Sequence, residues 1–407
     1  MNIMVIGIIG AGASGMAAAL TAAENSGADI ILMERQARVG RKLQATGNGR
    51  CNLSNIQAKD MGYHGENPDF VTPAIQAFDP DNTLAWFRSM GLYTVTESNG
   101  KVYPYSDQAN SVVDILRLNL NRPNISVKLG FDAEKIQKTS DGFIVTGNGE
   151  TILCDRLIVA CGGLAGSKLG GTLSGYKLLA QLGHKSTKLR PSLVQIKTGW
   201  KDIVSLKGVR ANCRIQIQRD GQVHRESAGE IQFTEQGISG PVVFEISRDV
   251  CYGPGVWVAK IDFLPDFPED FLRQELERRR STNLPMEELL TGILHNRLGR
   301  VLSKTAGIKG KSSANELSNQ EMKELCAAVK NLEITLTEPL GMDSAQVTAG
   351  GVLTSQFDEN TMESRLVPGL YACGEVLDID GDCGGYNLQW AWSSGRLAGL
   401  SAGKEIV

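Results

Sequence analysis

An α/β fold, with a parallel sheet assembled from both ends of the chain and a separate domain inserted between them, is what this 407-residue sequence predicts. Three observations carry the prediction. Strand, glycine-rich turn, helix and second strand follow one another from Met4 to Glu34. Further strand-and-glycine segments return far downstream, at Leu157 to Gly163 and from Gly369 onward. Between Pro191 and Gly341 the pattern changes, and alternating stretches give way to helical ones.

The length exceeds one ordinary domain, and 42% hydrophobic with 21% charged residues describes a globular chain with a real core. The net charge of −3, with Arg278 to Arg280 as its longest basic run, predicts no nucleic-acid partner. Eight cysteines without a CxxC fit reduced thiols and a cytoplasmic setting, and argue against a disulfide reductase. The four histidines are scattered and near no cysteine pair, so no metal site is expected. Residues 3–20 are apolar, yet glycines punctuate them and no basic stretch precedes them. A buried strand and helix explain that run better than a signal peptide or membrane span.

The first turn reads Gly10-x-Gly12-x-x-Gly15. Gly10 makes the turn, Gly12 admits a pyrophosphate, and Gly15 lets the helix pack close to the strand. Ala13 and Ser14 open a helix whose amino terminus favours phosphate. Ile30 to Met33 forms the next strand, and Glu34 at its end is placed to bind ribose hydroxyls. At this point FAD and NAD both remain open.

The polar, glycine-rich stretch after Glu34 favours FAD, because a long connection inside a compact domain needs a functional reason. Arg35, Arg41 and Lys42 are assigned to the cofactor. Thr46, Gly47, Asn48 and Gly49 are expected to lie flat against it and offer N–H donors, with Cys51 and Asn52 beside them. Ala133, ahead of the β-rich stretch Phe143 to Leu153, and Ala160, Cys161 and Gly162, closing the returning strand, complete the middle of the site. Near the carboxyl end Gly374, Glu375, Gly385, Asn387 and Leu388 are placed at the cofactor. Glu375 takes ribityl hydroxyls, and Asn387 caps the last helix, where Ala391, Gly395 and Ala398 allow close packing.

The Gly10–Gly15 turn, "GRKLQATGNGRCNLSN", "FTEQGISGP", "VTAGGV" and "GEVLDIDGDCGGYNLQWAWSSG" together resemble the bacterial NAD(FAD)-utilising dehydrogenase-like flavoproteins. That family includes a clostridial reductase of 3-oxo bile acid double bonds. The resemblance implies a noncovalent FAD and a Rossmann-like two-dinucleotide-binding domain at residues 1–190 and 342–407. It also implies an insertion at 191–341, with a β-barrel at about 191–264 and helices at about 265–332. Within the insertion, helices are expected near Glu269 to Arg280, Met286 to Leu302 and Asn319 to Lys330, the last opening on a Ser318–Glu321 capping box.

No second Rossmann motif is present, so NAD(P)H would approach the flavin directly. Arg50 and Tyr386 are the candidate catalytic residues, as donors to a developing enolate, each with the alternative of a purely structural role. Neither flavin-facing stretch contains histidine. The expected reaction is reduction of a C=C bond conjugated to a ketone in an apolar steroid or bile-acid-like substrate, with NAD(P)H as donor. A dehydrogenase feeding a quinone or protein acceptor, and a flavin-containing RNA-associated or redox-sensing protein, are the alternatives.

Overall fold

Strand β1 (Val5–Ile9) is apolar along its whole length because it is covered on both faces, as the centre of a parallel sheet must be. Its parallel neighbours are β2 (Asp29–Glu34) and β4 (Arg156–Val159), with β3 (Ile125–Leu129) beyond β2 and β5 (Leu370–Ala372) beyond β4. The resulting order β3-β2-β1-β4-β5 is the doubly wound arrangement, with its reversal next to β1. The computed structural model describes residues 3–59, 61–253 and 255–404. It divides into two compact units, Met1–Pro191 with Ala345–Val407, and Ser192–Ser344.

In the first unit, helix α1 (Ala13–Asn25) is alanine-rich and buries Met16 and Leu20. Helix α2 (Tyr386–Gly403) lies against it almost backbone to backbone. A Cβ at Gly395 would collide with the Ser14 carbonyl oxygen, and one at Gly399 with that of Ala18. Arg156, only 7% exposed, donates to the Ala402 and Lys404 carbonyls at 2.6 and 2.5 Å and closes the far end of α2. The two chain ends are thereby fastened into one core. An antiparallel meander of Lys135–Thr139, Gly142–Gly147 and Glu150–Cys154 leads into β4.

The second unit holds a closed six-stranded barrel, Ile196–Thr198, Gly237–Ser239, Gln222–Phe233, Arg210–Arg219, Trp257–Asp262 and Leu332–Pro339 in order around it. The last strand comes from beyond the helices, outside the contiguous 191–264 expected from sequence. Its alternation carries the reason: Leu332, Ile334 and Leu336 point inward while Glu333, Thr335 and Thr337 face solvent.

Helices Glu269–Arg280 and Asn319–Lys330 fall where the sequence puts them. The expected helix from Met286 to Leu302 does not form as one. A single 3-10 turn, Met286–Glu288, is followed by Gly292 at φ +81 and a new helix, Asn296–Thr305. Left-handed glycine ends the periodicity that the apolar residues suggested. Arg278 and Arg279 pair with Glu275, and Arg280 with Glu277, so the basic run is neutralised on its own helix.

Ser318 and Glu321 form both bonds of the capping box. Ser318→Ala is expected to destabilise this unit by about 1 kcal/mol, read as a lower denaturant midpoint at unchanged slope. Among the described residues no helix is long and apolar enough to cross a membrane, and no side-chain group is arranged to hold a metal ion.

Candidate functional site

The carboxyl ends of β1, β4 and β5 meet at the first glycine turn, and each glycine there has a different surrounding. A Cβ on Gly10 would stand 2.5 Å from the Ala160 carbonyl oxygen, and one on Gly15 would overlap the Gly10 carbonyl. Gly12, by contrast, has nothing within 4 Å of its Cβ position. Backbone therefore packs on both sides of an open approach at the start of α1, and no side chain caps that helix. Ser14 is buried against the other end of the site, since a Cβ on Gly374 would lie 2.5 Å from its hydroxyl.

Glu34 closes one flank. Its carboxylate accepts the Ala11 N–H at 2.8 Å and the Gln36 N–H at 2.8 Å, fixing it across the turn with lone pairs left for hydroxyl donors. The Glu34 carbonyl also takes the Phe131 N–H at 2.9 Å, which brings Ala133 to the end of β2. Arg35 reaches the Gly170 carbonyl and Arg41 the Gln36 side chain, at 2.8 and 2.6 Å. Ala160 donates to the Ile9 carbonyl, Cys161 is half-buried behind it, and the Cβ position of Gly162 is open.

Glu375 closes the opposite flank. Its Oε2 accepts from Lys42 at 2.8 Å and its Oε1 from the Thr348 N–H at 2.8 Å. Thr348 belongs to "VTAGGV" and was not among the residues picked from sequence. Its hydroxyl accepts the Ala165 N–H.

Between these flanks the stretch Leu43–Arg50 is curled, not laid flat. Gly47, Asn48 and Gly49 are all left-handed at φ +56, +56 and +87, and Cys51 is left-handed again at +60. The curl is locked by the Cys51 N–H to the Thr46 carbonyl at 3.0 Å and by the Thr46 hydroxyl to the Leu43 carbonyl at 2.7 Å. Asn52 follows with its Oδ1 buried and without a hydrogen-bond partner.

Arg50 does not stand free. Its Nε donates to Asp107 at 2.5 Å, its Nη2 to Glu97 at 3.1 Å, and the guanidinium lies 4.0 Å above the Tyr103 ring. The Asp107 hydrogen bond raises its pKa further, so it is a fixed cation.

Asn387 is not the cap of α2. Gly385, at φ +107, occupies that position, and Asn387 sits inside the first turn with its side chain turned back onto the preceding loop. There its Oδ1 accepts the Gly381 N–H at 2.9 Å and its Nδ2 donates to the Gly381 carbonyl at 2.7 Å. The start of α2 thus carries no side-chain cap. Leu388 is half-buried against the core, and Tyr386 packs edge-on to Tyr63 with ring centroids 5.8 Å apart.

One residue that the sequence reading passed over arrives at this loop. Strand residues Tyr63 and His64 pair antiparallel with Gly381 and Asp380, and His64 Nε2 lies 2.7 Å from Asp382 Oδ1. No histidine lies within Thr46–Asn52 or Gly381–Leu388, yet the fold sets His64 beside the second of these stretches. Nothing local marks "YHG"; the signal lies in Asp382, 318 positions away.

Burial pushes the thiols of Cys51, Cys161 and Cys373 up to about 12, so they are neutral at physiological pH. Cys51 and Cys373, both fully buried, are expected to resist iodoacetamide at pH 8 until the protein is denatured. Because their pKa values are raised in the folded state, the stability they contribute is present below about pH 8.5 and lost as pH rises toward 12.

Residues 4–401 match the family described as HI0933-like protein Rossmann domain. The chain belongs to the HI0933-like family. It is 39% identical over 406 residues, 98% of this chain and 99% of the relative, to a 3-dehydro-bile acid delta(4,6)-reductase of Clostridium scindens. It is 33% identical over 391 residues, 95% of each chain, to a ribosomal RNA dihydrouridine synthase of Escherichia coli. Among solved structures, the open conformation of a flavocytochrome c3 fumarate reductase matches 99% of this chain and 78% of its own at TM-score 0.50 and 16% identity. That likeness shows the fold the HI0933-like chain shares.

Proposed function

We propose that this protein is an FAD-dependent oxidoreductase that takes reducing equivalents from NAD(P)H and saturates a C=C bond conjugated to a ketone in a 3-oxo enone of steroid or bile-acid type. The observation that carries the substrate class is full-length identity of 39% with a bile-acid double-bond reductase. The cofactor rests on the cradle itself. Open space over Gly12 beside two glycines clamped by backbone suits a diphosphate. The orphaned Oδ1 of Asn52, at the Gly384 turn, suits a ring N–H donor, because a buried acceptor without a partner costs about 1–3 kcal/mol.

In this reading the α1 amino terminus holds the diphosphate, Glu34 the adenosine ribose, and Lys42–Glu375 with Thr348 the chain between diphosphate and ring. The uncapped start of α2 offers backbone N–H groups to negative charge at the ring edge. Bound FAD supplies the hydride. Arg50, fixed by two carboxylates, shapes the loop next to the ring.

A second reading has its own support, the 33% identity with a ribosomal RNA dihydrouridine synthase. Uracil also presents a C=C bond conjugated to a carbonyl, so the chemistry is shared and the substrates differ in size and charge. A net charge of −3 and a neutralised arginine run favour the small apolar substrate over a polyanion.

Anaerobic stopped flow tests the choice. The protein-bound flavin, which acid precipitation of a separate sample should release intact, is reduced with NADH or NADPH and mixed with 3-oxo-4-ene and 3-oxo-4,6-diene steroids, a quinone, or uridine-containing RNA. Fast reoxidation by the enones is expected. Reoxidation by RNA or quinone but by no enone would sink the proposal.

A further inference from the structure

We infer that His64, held by Asp382, is the proton donor of this reaction. The inference rests on the reductase reading above. When a hydride adds to the β-carbon of an enone, the π pair moves toward the carbonyl and leaves an enolate. One proton must then reach the α-carbon to give the saturated ketone, so the site needs an acid as well as the hydride.

Neither residue singled out from sequence is well placed for this. Arg50 is fixed between Asp107 and Glu97 and does not give up a proton. The Tyr386 ring is wedged against Gly62 and Tyr63. Of the four histidines, His184 is buried between the Leu179 carbonyl and the Ser364 hydroxyl, His295 caps a helix, and His224 packs on Trp257 in the other unit. His64 differs from all three in having a carboxylate partner, and that partner belongs to the Gly381–Gly385 turn leading into α2.

The pair is held from several directions. The ladder sets His64 opposite Asp380, the Asp382 N–H donates to the Gly62 carbonyl at 2.8 Å, and Asn387 clamps the Gly381 carbonyl. Nε2 carries the hydrogen that Asp382 Oδ1 accepts. Nδ1 has no recorded partner among the described residues and is the nitrogen left to act. The proton leaves Nδ1 for the α-carbon, Nε2–H stays on Asp382, and water restores the proton. Side-chain exposures of 23% for His64 and 30% for Asp382 leave water that access.

His64→Gln and Asp382→Asn, purified with flavin bound, are compared with wild type in separate half-reactions. Expected is enone-driven reoxidation about 10²–10⁴-fold slower in His64→Gln, with flavin content and reduction by NAD(P)H retained. Asp382→Asn falls in the same direction, and Asp382→Glu restores part of the rate. A readout independent of turnover is calorimetric binding of a phenolic A-ring steroid, whose aromatic ring puts π density where the enolate's α-carbon stands; its Kd should rise about twofold to fivefold in His64→Gln, which loses the Nδ1–H contact to that carbon. Wild-type reoxidation rates in His64→Gln, or equal losses in both half-reactions, would overturn the assignment. If no enone reoxidises the wild-type flavin, it is the reductase reading that fails, and this inference with it.

Discussion

Gly15→Ala should yield a protein that folds poorly and retains almost no flavin. The added methyl would overlap the Gly10 carbonyl and press on the Ala160 side chain, 3.3 Å away. Neither backbone neighbour can yield, because Gly10 is itself held by its N–H to the Met33 carbonyl at 2.8 Å and by its closeness to Ala160. The start of α1 must therefore move away from β1, and the open approach over Gly12 moves with it. Overpacking of this kind costs about 1–3 kcal/mol in stability. The loss in flavin affinity is expected to exceed a hundredfold, because the diphosphate contacts proposed above would depend on the aim of several N–H groups at once. The ratio of flavin to protein absorbance after gel filtration, with thermal unfolding alongside, reads both effects. Alanine at Gly12, where the Cβ position is open, should fold as wild type and lose flavin alone.

Glu375→Ala should come second in size. The carboxylate holds the Lys42 ammonium and the Thr348 N–H together, in a pair 31% and 20% exposed. Without it, a half-buried ammonium and a backbone donor lose their acceptor, a loss of about 1.5–3 kcal/mol for hydrogen bonds to a charged group. Flavin Kd is therefore expected to rise about tenfold to a hundredfold by fluorescence titration. Lys42→Ala should have the smaller effect, since Glu375 keeps the Thr348 bond and is open to water. An unchanged Kd in Glu375→Ala would place the ribityl chain elsewhere.

What the sequence made legible was local. β1, the glycine turn, α1, β2 and Glu34 lie in one short stretch, and period, turn residue and terminal acid all agree there. The same holds for Ser318–Glu321, whose partners are three residues apart. Errors came where a role depends on distant chain. Asn387 has the composition of a cap, but the loop before it folds back and claims both ends of its amide. Strand Leu332–Pro339 alternates plainly, yet nothing in it says that it closes a barrel whose other strands precede three helices. His64 has no motif of its own; its meaning arises when a two-residue ladder sets it beside Asp382. Arg50 was recognisable as special, but its carboxylate partners Glu97 and Asp107 sit on a separate segment.

A single turnover with isotopic tracing follows both the hydride and the proton. The holoprotein, reduced anaerobically with nicotinamide cofactor and held in D₂O, is mixed with one equivalent of a 3-oxo-4-ene steroid, and the product is examined by mass spectrometry and NMR. Expected is a saturated 3-oxo product with the hydride at the β-carbon, one solvent deuteron at the α-carbon, and oxidised flavin in equal amount. Recovery of unchanged steroid beside a flavin that remains reduced, while uridine in RNA or a quinone reoxidises it, would rule out enone reduction by this protein.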